Sequence, residues 1–413
     1  MFGMKFILFF VSLNTLFFVQ DCISGHYTVA GNVKDVFTGR PISFASVSVA
    51  DSHIGTVTNL DGAFTLKIPV SSDMTGIIIS HIGYRVADFN IADLTGEARD
   101  FTLEPYSVSI QEVVVKPTDA RSIVESAIKS TRYNYPLVSY RLTGFYRETI
   151  RQRRDYVSIS EAVVDIYQAP YNSGFEKDMF RIVQGRKSGN VKKEDTLIVK
   201  LQGGPHVSML LDIVKNPDLL ISEENINFYS FDLVDEVMID EVANYVISFR
   251  PRIVLNYPLY YGKLYISVDR FAITMAEFSL DLTDSNKAAQ SFILKKPVRL
   301  RFNPVSTRYV VKYKEVDGLY HVNYMRYELG FFADWRRRLF RTGYTIVSEM
   351  AITNRSAENV NRISNSEAFR PTAIFADEVP VYFDDEFWGE YNYIEPDQSI
   401  YTAITRLNNL LER

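Results

Sequence analysis

Acidic side chains are concentrated towards the C-terminal end of this 413-residue chain. The cluster consists of Asp377, Glu378, Asp384, Asp385 and Glu386 and precedes Trp388. Two facing carboxylates can act as general acid and base on a glycoside or peptide, or they can hold a cation. However, the carboxylate spacing of a calcium-binding EF-hand loop is absent, and acids also collect in solvated loops that precede helices. The cluster therefore leaves two interpretations open, a hydrolase centre and a solvated loop.

Arginines form two further clusters. The densest basic and aromatic one consists of Trp335, Arg336, Arg337, Arg338 and Arg341. We single out these residues for contact with a protein partner or with anionic headgroups, although a hairpin turn with arginine stems packed on apolar surface fits as well. The second cluster, residues 147–154, predicts a solvated strand end. Its alternatives are an Arg–Glu pair inside a curved sheet and a basic patch for lipid headgroups.

The five histidines do not fit a zinc peptidase site. Such a site needs a His-x-x-Glu pair and a distant histidine, because catalytic zinc takes three protein ligands and keeps one position open. The residues three places after the histidines are Val29, Thr56, Tyr84, Met209 and Tyr324, and none is a carboxylate. A Gly-x-Ser-x-Gly elbow is also absent. The sequence thus indicates no catalytic set, no metal and no cofactor, and it favours a protein that is not an enzyme.

The first residues predict export. Lys5 precedes an apolar stretch over residues 6–19, and small residues follow at Ser24 and Gly25. This is the pattern of a secretory signal peptide, so we assign residues 1–25 to one and expect a periplasmic or outer-membrane-associated protein. The only cysteine, Cys22, is preceded by Gln and Asp rather than by the small residues of a lipoprotein signal. We favour the removal of Cys22 with the signal peptide, and lipidation of Cys22 remains the alternative.

Composition favours β-structure. Aromatic residues make up 14% of the chain, and such side chains suit pleated, half-buried surfaces. The formal net charge of -5 gives no reason to expect nucleic acid, which binds a basic face.

Residues 26–117 alternate short apolar strands with turns, which predicts a β-sandwich. The ordered motifs are Gly31-x-Val33, Thr38-Gly39-x-Pro41-Ile42, Ala45-x-Val47, Gly55-Thr56-x-Thr58-Asn59-x-Asp61-Gly62-x-Phe64 and Ser80-x-Ile82-Gly83-Tyr84. With these motifs the segment resembles the carboxypeptidase regulatory-like domain, a transthyretin-like module of many Bacteroidota envelope proteins. The resemblance implies an accessory module and brings no peptidase site with it.

Residues 118–413 predict an α+β domain with a large curved antiparallel sheet. Helices are expected over 118–132, 207–215 and 399–412. Expected strands are 140–150, 156–167, 245–249, 262–268, 273–280, 298–302, 306–314, 319–332 and 341–352. Residues 262–278 resemble strands of an open LolA-like half-barrel. Residues 144–148 and 387–392 resemble uncharacterised Bacteroidota proteins that join such a region to the regulatory-like module.

These observations predict a non-enzymatic cell-envelope protein that binds an envelope protein or an amphiphilic lipid, with membrane-surface association left open. A large apolar cavity in the second domain would favour lipid, and a packed core would favour protein–protein assembly. The alternatives are an envelope hydrolase acting on carbohydrate or peptide, and a polysaccharide-binding sandwich. The sequence does not determine the oligomeric state.

Overall fold

A computed structural model gives the fold of the chain. It describes residues 25–70, 76–90, 94, 99–106, 119–189, 204–292, 300–335, 341–382 and 388–411. The predicted signal peptide before Gly25, Cys22 and the proposed domain boundary near Pro117 lie outside these residues. The fold is mainly β, as the sequence predicts, and its strands form three sheets.

The N-terminal part is a sandwich of seven strands. They are β1 His26–Asp35, β2 Ser46–Val49, β3 Gly55–Val57, β4 Ala63–Pro69, β5 Gly76–Ser80, β6 Ala87–Asn90 and β7 Arg99–Leu103. One sheet has the order β4-β1-β7 and the other β3-β2-β5-β6. Alternate side chains such as Val47, Phe64 and Ile79 fill the space between them because successive strand residues face opposite sides. β1 passes so close to β7 that a Cβ on Gly31 would lie 2.2 Å from the Arg99 carbonyl oxygen.

The second part is built on one ten-stranded antiparallel sheet. Its strands are β8 Tyr140–Gln152, β9 Asp155–Gln168, β10 Met179–Ser188, β11 Tyr229–Ile239, β12 Val242–Pro251, β13 Tyr260–Ser267, β14 Ile273–Leu280, β15 Leu300–Val316, β16 Leu319–Trp335 and β17 Thr342–Ser356. The order is β10-β9-β8-β17-β16-β15-β14-β13-β12-β11, so the sheet is open, with β10 and β11 at its edges. The chain returns from β17 to pair with β8, across about two hundred residues of sequence.

Helices α1 Ala120–Asn134, α2 Pro205–Leu210, α3 Ser285–Gln290 and α4 Phe375–Glu378 contribute to the core on one face of this sheet. Helix α5 Gln398–Leu411 packs on the other face. The sheet curves around α1, which contacts β11, β13 and β16. We call the face of the sheet that packs against α1 the inner face. Ile123, Val124 and Ala127 of α1 enter its large apolar core. The Asp119 side chain caps the helix by accepting a hydrogen bond from the Arg121 backbone N–H at 3.4 Å.

The sandwich and the C-terminal segment 388–411 cover the outer face. A small apolar cluster joins Val57 of the sandwich to Phe145 and Tyr324 of the sheet and to Trp388 and Ile394 of that segment. Further along, α5 packs on β9. The two parts of the chain are therefore joined by a packed seam.

Several element predictions need correction. The two strands expected at 298–302 and 306–314 are one strand, β15, because a bulge between Pro304 and Ser306 lets the pairing continue. Strand β11 was not predicted, and the helix expected over 207–215 is the shorter α2.

Candidate functional site

The basic and aromatic cluster lies mostly outside the described residues. Trp335 ends β16, Arg336, Arg337 and Arg338 are not described, and Arg341 precedes β17. Arg341 is exposed and its guanidinium lies 4.8 Å from the centre of the Phe332 ring. This cation–π contact holds one arginine at the tip of the sheet. The predicted headgroup contact therefore stays a prediction.

The acidic cluster forms no described catalytic pair. Asp377 and Glu378 are the exposed residues of helix α4, and Asp377 approaches Lys187 Nζ to 4.0 Å. Asp384, Asp385 and Glu386 are not described. Within the described parts of the chain, no three His, Cys, Asp or Glu residues form a group that could hold a metal.

The second arginine cluster contributes to a buried row of charges on the outer face. The row crosses five adjacent strands and consists of Arg186, Glu161, Arg147, Glu349 and Arg326. Each member stands directly opposite the next in the strand register, so the charges alternate. The predicted solvated strand end is wrong for Arg147, which is buried, and holds only for the exposed Arg153 and Arg154. Arg147 does form ion pairs inside the sheet, but with Glu161 and Glu349 rather than with the neighbouring Glu148.

Arg147 is the centre of this charge row. It is only 1% exposed, and its Nε donates to Glu161 Oε1 at 2.5 Å and its Nη1 to Glu349 Oε1 at 3.1 Å. Its Nη2 donates to the Ile394 carbonyl oxygen at 2.5 Å, so the row also fixes the C-terminal segment. Burial raises the pKa of Glu161, but the guanidiniums of Arg147 and Arg186 more than offset this, so that pKa lies below its usual range. Such a paired network positions elements and offers no free group for chemistry.

Glu148 is a buried carboxylate of a different kind. It points to the inner face, is 2% exposed, and accepts a hydrogen bond from the Tyr146 hydroxyl at 3.4 Å. Burial raises the pKa of Glu148 to about 7, and no arginine or lysine forms an ion pair with it among the described residues.

The inner face is filled by side chains of the protein itself. Buried Asp212 accepts hydrogen bonds from the hydroxyls of Tyr171 at 2.7 Å and Tyr313 at 2.8 Å. The Tyr135 ring stacks on Tyr171, with centroids 5.3 Å apart, and its hydroxyl donates to the Ile273 carbonyl oxygen at 2.6 Å. Five cavities among the described residues lie at the seam or near the surface, and Tyr313 and Tyr320 of the core line the wall of two of them.

Three of these cavities adjoin one another along the seam. Their volumes are about 10, 40 and 350 Å³, and Lys314 lines all three. Lys312 lines the 40 Å³ cavity, and Arg355 lines the 10 Å³ cavity. Sequence reasoning missed these cations, because a lysine in an alternating strand is normally on a solvated face and nothing in the sequence shows that the sandwich covers it.

The opposite end of the sheet carries exposed apolar side chains. Antiparallel pairing brings the β12–β13, β14–β15 and β16–β17 connections to this one end. Its exposed apolar residues are Val254 (90%), Tyr257 (52%), Tyr261 (50%) and Val305 (49%), and its exposed arginines are Arg252, Arg301 and Arg341. We call these seven residues the loop end.

Comparison with known proteins identifies the first module. Residues 29–115 match the family model of the CarboxypepD_reg-like domain, which confirms the resemblance of the first part of the chain. No curated protein matches the chain. None of the helices in the described residues is both long and apolar enough to cross a membrane.

Solved structures show only distant likeness. A domain from Vibrio parahaemolyticus assigned to outer membrane lipoprotein sorting is 8% identical and aligns over 59% of this chain and 95% of its own, with a TM-score of 0.26. A DUF1329 family protein from Desulfovibrio piger is 11% identical over 57% and 93%, with a TM-score of 0.23. A protein of unknown function from Bacteroides fragilis, assigned as membrane-associated, is 10% identical over 80% and 99%, with a TM-score of 0.16.

Proposed function

We propose that this protein is a non-catalytic component of the cell envelope that binds an amphiphilic lipid surface through its loop end. The observation that carries the proposal is the exposure of Val254, Tyr257 and Tyr261 beside arginines at one end of the sheet. Apolar side chains gain free energy on entering the interfacial region of a membrane, and arginines nearby are attracted by anionic headgroups.

The packed inner face offers no enclosed apolar cavity among the described residues, and by the criterion taken from the sequence it favours a protein partner over an enclosed lipid. We favour a lipid surface because exposed apolar side chains and arginines lie together at the loop end. The core that includes Tyr135 and Tyr313 occupies the space between α1 and the sheet. An acyl chain would have to displace this core, and disrupting well-packed side chains is costly. Contact at the loop end needs no such rearrangement. A protein partner remains the alternative occupant, and it is an outcome of the test below.

The predicted export fits this role. A signal peptide followed by an accessory sandwich would place the protein in the periplasm or at the outer membrane. With the sandwich packed on the outer face, the residues of the loop end remain exposed. The paired charge row and the exposed acids of α4 supply no catalytic pair, which is why we favour binding over hydrolysis.

Vesicle sedimentation tests the proposal. The mature protein should co-sediment with vesicles of phosphatidylglycerol and phosphatidylethanolamine, and added salt should weaken the binding because it screens the arginines. The double substitution Val254→Asp and Tyr257→Ser should lower the vesicle affinity at least about tenfold, since burying one such side chain is worth about 1.5–3 kcal/mol. Phe175→Ser is the matched control, because Phe175 is 100% exposed but lies outside the loop end.

Three outcomes of the sedimentation experiment would contradict the proposal. Wild-type protein that stays in the supernatant at every lipid concentration would exclude the membrane surface. Equal loss of binding for the control and the double variant would show that adhesion is non-specific. Specific recovery of one envelope protein that depends on Val254 and Tyr257, without vesicle binding, would assign the loop end to a protein partner instead.

A further inference from the structure

The seam holds buried cations that form no ion pair within the described residues, although Asp240 and Glu277 attract Lys312, and Asp240 attracts Lys314, from a longer distance. Lys312 and Lys314 of β15 reach from the outer face of the sheet towards the sandwich, and Arg355 lies near the end of β17. No carboxylate oxygen lies within 4.0 Å of any of these three cations in the described structure. A buried ion without a counter-ion costs several kcal/mol even after relaxation. Three cations so close together therefore need a partner.

The contacts that these cations do make are to neutral groups. Lys312 Nζ donates to the Phe44 carbonyl oxygen at 2.9 Å, and Lys314 Nζ to Ser48 Oγ at 2.5 Å. Arg355 Nη2 donates to Asn323 Oδ1 at 3.1 Å. An ammonium group has three donors and a guanidinium five, so most of their donors are unused. Burial lowers the pKa of Lys312 to about 8 and that of Arg355 to about 10, which is the electrostatic sign of this missing compensation.

Unsatisfied polar atoms mark the same place independently. Buried side-chain atoms without a hydrogen-bond partner include Arg355 Nε, His53 Nδ1 and His321 Nδ1. His53 and Arg355 line the smallest cavity, and His321 stands opposite Lys314 in the strand register. Arg355 is 4% exposed and His321 3% exposed, so bulk water does not satisfy them. Orphaned polar atoms are rare in folded proteins and call for a bound group.

The sandwich lines the seam with small hydroxyl groups. Ser46 and Ser48 of β2 and Ser80 of β5 line the seam cavities, opposite the two lysines. Cations, hydroxyls and an arginine fork are the groups that bind oxyanions in proteins. About 10–15 Å³ of such volume holds one water, so the 40 Å³ cavity takes roughly three water-sized groups, which matches the free oxygens of a phosphate.

We propose that the seam between the sandwich and the sheet binds a phosphate group in the 40 Å³ cavity, held by Lys312 and Lys314, with Arg355 beside it in the adjoining 10 Å³ cavity. The bound anion neutralises the three cations and bridges the two parts of the chain. Asp240 lines both the 40 and the 350 Å³ cavity, so one carboxylate faces the site. Glu241, Glu315 and Asp317 line only the outer, 350 Å³ cavity, where the larger number of carboxylates disfavours an anion. The outer cavity also contains Ile78, Val86, Ile239 and Val242, an apolar wall that could contact the rest of a phosphorylated amphiphile.

Calorimetric titration of the mature protein in phosphate-free buffer tests the site. Three probes are compared: inorganic phosphate, glycerol 3-phosphate and dihexanoyl phosphatidic acid below its micelle concentration. At least one should bind with one-to-one stoichiometry and raise the unfolding temperature, because a ligand that binds only the folded state stabilises it. Binding of inorganic phosphate would assign a free anion, and binding of only the phosphatidic acid would assign a lipid headgroup.

Substitutions separate this site from general attraction to positive charge. Lys314→Met and, as a second variant, Lys312→Met should each lower the affinity at least tenfold. Both should unfold at a temperature no lower than the wild type in phosphate-free buffer, because each removes an unpaired buried ion. Lys263→Met on β13 is the control, since Lys263 is exposed and lies outside the seam cavities.

The proposal fails if none of the three probes binds, or if binding to both seam variants equals that of the wild type and of Lys263→Met. It also fails if both variants are less stable than the wild type without phosphate, since the lysines would then be compensated within the protein. Loss of vesicle binding at the loop end would leave these outcomes unchanged, so the two proposals are tested separately.

Discussion

Replacing Arg147 by methionine should destabilise the protein strongly. Methionine keeps most of the volume and removes the charge, so the buried carboxylates of Glu161 and Glu349 lose their shared partner. Each keeps one flanking arginine, Arg186 for Glu161 and Arg326 for Glu349. The row changes from three cations and two anions to two of each, with the two anions now separated by an apolar side chain.

The expected loss follows from the burial of the three central groups. Arg147 is 1% exposed, Glu161 0% and Glu349 5%, so water cannot replace the missing guanidinium. Breaking a buried ion pair by removing one partner costs about 3–5 kcal/mol. The hydrogen bond from Arg147 to the Ile394 carbonyl oxygen is lost as well, which should loosen the C-terminal segment. We therefore expect the free energy of unfolding to fall by about 3–5 kcal/mol.

Urea unfolding followed by tryptophan fluorescence measures this loss, because Trp388 lies in the apolar cluster that joins the C-terminal segment to the sheet. The matched control is Arg151→Met, on the same strand. The Arg151 guanidinium lies 5.6 Å from the centre of the Tyr156 ring and forms no ion pair with another described residue, so its removal should cost only about 0–1 kcal/mol.

The pH dependence gives a second, independent readout. The pKa of Glu161 lies below its ordinary value of 4.5, so its pairing stabilises the native state above that value and is lost as the pH falls through the lower, folded pKa. Without Arg147 the pKa of Glu161 rises, and acid destabilisation should begin at a higher pH than in the wild type. Arg147→Met that unfolds at the same urea concentration and the same acid pH as Arg151→Met would refute the idea that the charge row holds these strands together.

Three further changes give sharp expectations. Burial raises the pKa of Glu148 from 4.5 to about 7, so the native state loses stability as the pH rises between these values. Glu148→Gln should therefore be more stable than the wild type by about 3 kcal/mol at pH 8 and similar to it at pH 4. Urea titrations at both pH values measure this difference. Tyr313→Phe removes one of the two hydroxyls that donate to buried Asp212 and should cost about 1–3 kcal/mol by thermal unfolding, whereas an unchanged midpoint would mean that another donor replaces it. Gly31→Ala places a methyl group 2.2 Å from the Arg99 carbonyl oxygen and should cost about 1–3 kcal/mol, with protease sensitivity of the sandwich as the readout; wild-type resistance would contradict the close approach of β1 and β7.

Much of the strand content could be read from local patterns. The strands expected at 140–150 and 156–167 are β8 and β9, and they pair with each other as expected. Alternation of apolar and polar residues reports local burial, so it works where one face of a strand is buried. The alternation pattern failed for β15. Pro304 suggests that a strand ends there, but β15 continues past it and stays paired with β16 through a bulge. The alternation pattern also missed β11, an edge strand whose outward residues include exposed Val234 and several acids.

The candidate sites were harder to predict than the strands. Arg147 attracted attention as part of a charged run, but its partner Glu349 lies 202 positions away in the chain. Lys314 and Arg355 had no local feature that set them apart. They become unusual only because the sandwich packs against them, and a single sequence does not show which surface a separate domain covers.

The sequence alone determined the identity of the first module, the predominance of β-structure and the absence of a zinc peptidase ligand set. These depend on turn residues and on spacings within short segments, where the physical constraint is local. Only the tertiary structure decided that the inner face is filled by tyrosines, that five strands align their charges into one buried row, and that three cations meet unpaired at the seam. Those features arise from strand register and domain packing, which bring together residues that no local rule connects.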